Sequence, residues 1–279
     1  MVAAGPINTV HLYGPLHQEL IRLLEKLTPA QWLSPTVCRG WAVRDIAAHL
    51  LDVDIRPLSF SRDQIELPAP DPPIESYAGL VGFLNRLNAD WVNAARRISP
   101  RLLIEFLRLT GEQLAAHLAT VDMSAPTRVG VAWAGESVSA NWFHIARDYT
   151  ERWHHQQQIR DAVNAPPLTS AFWLSPVLDT FMRALPYHYR ELPAEDGNAI
   201  VFAITGEAGG DWTLLRVEER WQLFRGAADH ANARVTSDQD TAWRRFTKGI
   251  TADEARQRMK FEGDPRLGDP LPDCLAIMA

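Results

Sequence analysis

The chain has 279 residues, 46% of them apolar and 22% charged, with a net charge of -6. This describes an ordinary globular protein long enough for two domains, and the acidic balance excludes a nucleic-acid binder working through a basic face. No run of about 18 apolar residues predicts a membrane span, and the N-terminal "MVAAGPINTVHLYGPLHQEL" lacks the basic-then-apolar order of a signal peptide, so a cytoplasmic protein is expected. The two cysteines, Cys38 and Cys274, are too few for a disulfide framework and show no CxxC spacing. Ten tryptophans demand either a core or a ligand cavity to bury them.

The first 190 or so residues read as helical. Leu16, Leu20, Leu23, Leu24 and Leu27 recur at helical spacing over residues 9–27. "TPAQW" (28–32) combines an N-cap threonine with proline at the first helical position. After the loop "SPTVCRGW", a helix is predicted from Val43 through "RDIAAHLLDVDI". "LPAPDPPIE" (67–75) is too proline-dense to be helical. Helices are predicted over 75–98 and 100–120, a loop with a short extended piece over "MSAPTRVGVAWAGESVS", and further helices over 139–163 and 169–192. Beyond residue 196 the period changes. "NAIVFAIT", "WTLLRVEE", "RWQLFRG" and "NARVTS" alternate as strands do, and "QDTAWRRFTKG" and "TADEARQRM" return to helix. The predicted architecture is multi-domain: an all-α bundle over 1–192, then a small α+β domain over 197–279, joined near "LPAEDG".

The helix over 139–163 carries the chemistry. With His144 at zero and about 100° per residue, Asp148 falls near about 40°, Glu151 near about -20° and His155 near about 20°. These ligand-type side chains share one arc, while Trp142, Tyr149 and Trp153 lie opposite. A surface helix with its aromatics in the core would also show two such faces. This polar face, however, offers imidazoles and carboxylates in place of the usual lysines and glutamates. Glu151 and His155, four apart, can reach one metal ion from a single helix. His49 shares its face with Ala42, Ile46 and Val53, so it is expected to point inward, flanked by Asp45 and Asp52. A lone inward histidine is more often a hydrogen-bonded core residue than a ligand, but two helices of a bundle each presenting one can meet at a metal. Imidazole and carboxylate donors suit zinc, nickel or iron.

"RGWAVRDIAAHLLDVD" and "ARDYTERWHHQQQIRDA" resemble the two signature helices of DinB-like metal-binding four-helix bundles. The closer resemblance is to the N-terminal domain of bacterial mycothiol-dependent maleylpyruvate isomerases. It implies His49, Glu151 and His155 as metal ligands. "DWTLLRVEERWQLFRG", "ARVTSDQDTAWRRFTKG" and "FEGDPRLGDPLPDCLAIM" resemble the sterol-carrier-like domain attached to many such bundles. The proline-rich stretch over 67–74 and the helix after Thr169 are extra to that pattern.

The resemblance implies a divalent ion, zinc first and nickel second, and a small thiol such as mycothiol. The implied activity is isomerisation or thiol transfer on a small-molecule substrate. His144, Asp148 and Asp52 are candidates to support the ligands or act as base. An arginine of the C-terminal domain is implied for substrate, with Arg216, Arg220 and Arg225 as candidates. The alternative is a non-catalytic protein in which the metal is structural and the C-terminal domain binds an apolar ligand or lipid.

Overall fold

The structure is a computed structural model and describes residues 1–66, 70 and 73–278. Most of the proline-dense connection predicted over 67–75 (residues 67–69, 71 and 72) lies outside the described residues. The chain forms two compact units. One comprises Thr9–Met123 and Glu151–Pro167, the other Met1–Asn8, Ser124–Thr150 and Leu168–Met278. The expected boundary at residues 192–197 marks the change of sequence pattern; the units themselves interleave along the chain.

The first unit is helical. It contains α1 (Val10–Leu24), α2 (Pro29–Trp32), α3 (Val43–Pro57), α4 (Tyr77–Ala95), α5 (Pro100–Leu118) and the C-terminal half of α6 (Asn141–Val163). Local signals fix several starts. Thr28 and Gln31 form a reciprocal capping box ahead of Pro29. The Ser76 and Ser99 hydroxyls accept the backbone N–H of Gly79 and Leu102 at the starts of α4 and α5. α3 runs into a wider turn, Leu58–Arg62, in which the Asp63 N–H reaches back to the Leu58 carbonyl at 2.9 Å. The apolar stripes meet in a core that includes Leu20, Leu24, Val43, Ile46, Leu50, Leu107 and Ile159.

Three polar contacts join these helices. Trp91 Nε1 donates to the Ala48 carbonyl at 2.7 Å, joining α4 to α3. The Asp54 carboxylate, fully buried on α3, pairs with Arg152 of α6. It also accepts the Thr110 hydroxyl of α5 at 2.7 Å.

Gly111 on α5 illustrates close packing. A Cβ there would stand 2.2 Å from the His17 ring of α1. Glycine inside a helix costs up to about 1 kcal/mol against alanine, and the approach of the imidazole explains its use. Gly111→Ala is expected to destabilise by about 1–3 kcal/mol through overpacking, read as a lower denaturant midpoint. A gain in stability would show that His17 swings aside freely.

The second unit is built on a six-stranded mixed sheet in the order β1-β4-β3-β2-β5-β6. The strands are β1 (Val2–Ala3), β2 (Ala199–Thr205), β3 (Gly210–Val217), β4 (Arg220–Arg225), β5 (Ala233–Asp238) and β6 (Lys260–Gly263). β2 pairs parallel with β5, and the other pairings are antiparallel. β2 is buried along nearly its whole length, as a central strand must be. The unit also contains α7 (Ala171–Met182), α8 (Leu185–His188), α9 (Gln239–Phe246), α10 (Ala252–Arg258) and α11 (Pro265–Gly268), together with the N-terminal half of α6.

Three expectations are corrected here. The helix expected over 169–192 is two helices, because Pro186 has no N–H to give to a continuing helix and stands in the first turn of α8. β3 ends at Val217, not at Glu219. Glu218 and Glu219 both take positive φ (49° and 59°) and form the two-residue turn into β4. Finally, the first 190 residues are not wholly helical, since β1 adds to the edge of β4 with Val2 opposite Arg225. No helix among the described residues is long and apolar enough to cross a membrane.

Candidate metal centre

α3 and α6 each carry an inward imidazole of the helical unit. The 3.6-residue period puts His49 on the same buried face as Ile46 and Val53, and only 2% of it is exposed. One turn of α6 separates Glu151 from His155. His49 Nε2 lies 3.2 Å from Glu151 Oε1, and His155 Nε2 lies 3.1 Å from the same oxygen. The two rings meet edge to face with centroids 4.7 Å apart. The ligand atoms of the three residues all fall within 4.8 Å of one another.

Electrostatics in this group is tightly coupled. Burial depresses the His49 pKa despite its hydrogen bond to Glu151, so that ring is neutral at pH 7. Burial also opposes the charged forms of Glu151 and His155, but their mutual attraction wins, with the adjacent Cys38 adding to it at His155. The Glu151 carboxyl is held well below the usual carboxylate range, and His155 is lifted to about 10.

The donor set fits a divalent ion. Donors about 2.0–2.1 Å from a tetrahedral zinc stand roughly 3.4 Å apart, close to the distances between Glu151 and the two imidazoles. His49 Nδ1 is buried without a hydrogen-bond partner.

The remaining expected residues take separate positions. The Asp52 carboxylate pairs with Arg56, one turn further along α3, at 2.5 Å. His144 is driven down to about 4 by burial and by Arg147, whose guanidinium lies 3.4 Å from His144 Nε2. Asp148 is buried at 8% exposure one turn ahead of Glu151. Of the sheet arginines, Arg220 is exposed. Arg225 pairs with Asp179 at 3.4 Å and covers the Trp212 ring. Arg216 stands over the Trp221 ring, with Nε and Nη1 buried and unpartnered.

Sequence reading missed three neighbours. Trp41 sits 5.2 Å from the His49 ring. Gln158 Oε1 lies 2.7 Å from His155 Nδ1 and accepts the Cys38 thiol at 3.1 Å. The signal for Gln158 was present, since it falls near about -40° on the angular scale that groups Glu151 with His155.

Residues 13–160 match the profile of the mycothiol maleylpyruvate isomerase N-terminal domain. Comparison with curated protein sequences finds no match. Among solved structures, the chain is similar to a histidine-to-alanine mutant of the mycothiol-dependent maleylpyruvate isomerase. That likeness has 12% identity, covers 85% of this chain and 86% of that one, and has a TM-score of 0.50. A structure of that isomerase described without a substitution gives 0.49 at the same identity and coverage. At this identity the likeness is one of fold. The profile match spans more than half of the chain, and the chain belongs to the mycothiol maleylpyruvate isomerase N-terminal domain family.

Proposed function

We propose that this protein is a metal- and thiol-dependent isomerase, or a transferase of the same thiol, with mycothiol or a similar small thiol as co-reactant. One divalent ion, zinc in preference to nickel, is held by His49, Glu151 and His155. The observation that carries the reading is the convergence of two imidazoles and one carboxylate from two helices within 4.8 Å. Such an ion supplies Lewis acidity toward a thiol or water. Three protein donors leave a coordination position open, which separates a catalytic site from a closed structural one. His49 and His155 are buried, whereas the Glu151 side chain is a quarter exposed and gives the site an outlet to solvent.

The helices α1, α3, α5 and α6 are read as a DinB-like four-helix bundle and the sheet unit as sterol-carrier-like, in a cytoplasmic bacterial protein. Support for the bundle comes from the Arg152–Asp54 pair and from Gln156 Nε2, which donates to the Leu16 carbonyl at 3.1 Å. His144 and Asp148 are proposed to tune the site from further along α6. Among the three sheet arginines, Arg216 is the best candidate for an anionic substrate, because its guanidinium retains unpartnered donors.

The test is metal analysis of the purified protein with maleylpyruvate isomerisation assayed with and without mycothiol. Retained metal without thiol-dependent turnover would defeat the reading. Arg216→Ala is expected to leave metal content unchanged and lower turnover by about 10- to 100-fold, the worth of a hydrogen bond to a charged group. Unchanged turnover would remove Arg216 from the substrate site.

A further inference from the structure

We infer that Gln158 is a positioning residue for the metal centre, fixing the His155 ring through a Cys38–Gln158–His155 relay. The inference rests on His155 being a metal ligand. A neutral imidazole binds a cation through Nε2 with its proton on Nδ1, and an acceptor at Nδ1 fixes that tautomer and the ring's orientation. Gln158 Oε1 supplies it at 2.7 Å, one turn along α6. The opposite amide orientation would aim NH2 at Nδ1 and hold the ring in the tautomer whose Nε2 carries the proton. Cys38, on the loop before α3, decides between the two. Its S–H donates to the same Oε1 at 3.1 Å, so two donors converge on this oxygen and favour its present orientation. Gln158 is 5% exposed, so water competes poorly for either bond. His49 has no equivalent, since its Nδ1 is buried and unpartnered. The two histidines are thus held unequally: His155 is locked by the relay, and His49 is held by packing beside Trp41.

The test uses the full chain with zinc and cobalt(II) as probes. Gln158→Leu keeps the approximate volume and removes the acceptor. Gln158→Glu keeps an acceptor and strengthens it. Zinc affinity by chelator competition is expected to fall about 10- to 100-fold in Gln158→Leu, the usual loss for a supporting partner of a metal-binding histidine. Gln158→Glu is expected to restore it to at least the wild-type value. The cobalt(II) absorption bands should broaden or shift in Gln158→Leu and return in Gln158→Glu. A merely structural role would not produce that pattern, and helical circular dichroism checks that both variants fold. Wild-type affinity and spectrum in Gln158→Leu would overturn the inference while leaving the metal site standing. Equal losses in Gln158→Leu and Gln158→Glu would overturn it as well. A wild type that binds neither ion would overturn both the inference and the metal reading beneath it.

Discussion

If His49, Glu151 and His155 hold an ion as proposed, replacing His49 by alanine is expected to abolish metal binding while leaving the helical core assembled. His49 contributes one of two imidazoles that face Glu151 Oε1, and it is the only one of the three residues supplied by α3. Without it, Glu151 and His155 remain as two donors from one helix. Two donors hold a divalent ion far more weakly than three. The loss should exceed the roughly 100-fold that removal of a mere supporting partner costs. Metal content after dialysis and affinity by chelator competition are the measurements. Glu151→Gln should behave alike, because it keeps the shape and removes the charge. A His49→Ala protein that keeps wild-type metal affinity would show that the ion, if any, sits elsewhere.

The largest stability effect is expected at the Asp54–Arg152 pair. Asp54 is fully buried and Arg152 is 9% exposed. Arg152 also donates to the Val53 carbonyl at 2.7 Å and lies over the Tyr13 ring. Asp54→Ala removes the carboxylate that the buried Arg152 guanidinium pairs with and leaves the Thr110 hydroxyl without this acceptor. Breaking one side of such a pair costs about 3–5 kcal/mol, a large share of the roughly 5–15 kcal/mol that holds a domain together. Replacing both residues by apolar side chains, Asp54→Leu with Arg152→Met, should recover much of that loss, since no stranded charge remains. Denaturant midpoints of the two single variants and the double variant read this directly. Singles within about 1 kcal/mol of wild type would place the pair among weak, solvated ion pairs.

Much of the helical unit was legible because its signals are local. The capping box at Thr28, the prolines opening α2 and α5, and the leucine stripe of α1 each act within one or two turns of chain. The alternation of β4 and β5 and the continuous apolar run of β2 were legible for the same reason. The strands that escaped are β1 and β6, of two and four residues. Segments that short carry no period of their own. β1 exists because β4 offers a free edge, and β6 because β5 does. The broken helix after Thr169 could have been read from Pro186, whose missing N–H acts locally.

At the candidate site, the sequence by itself determined which side chains face one way: His155 and Glu151 by the helical period of α6, and His49 by the apolar face of α3. Whether the two faces meet is not a property of either helix, because a period sets direction and carries no distance. Only the tertiary structure decided that His49 and His155 approach the same carboxylate oxygen. It also decided that Asp52 is taken by Arg56 and that Gln158 receives both the His155 ring and the Cys38 thiol. Cys38 and Gln158 are 120 positions apart in the chain. A pairing over that separation is selected by the packing of whole helices, and the short-range rules that made the helices readable hold no information about it.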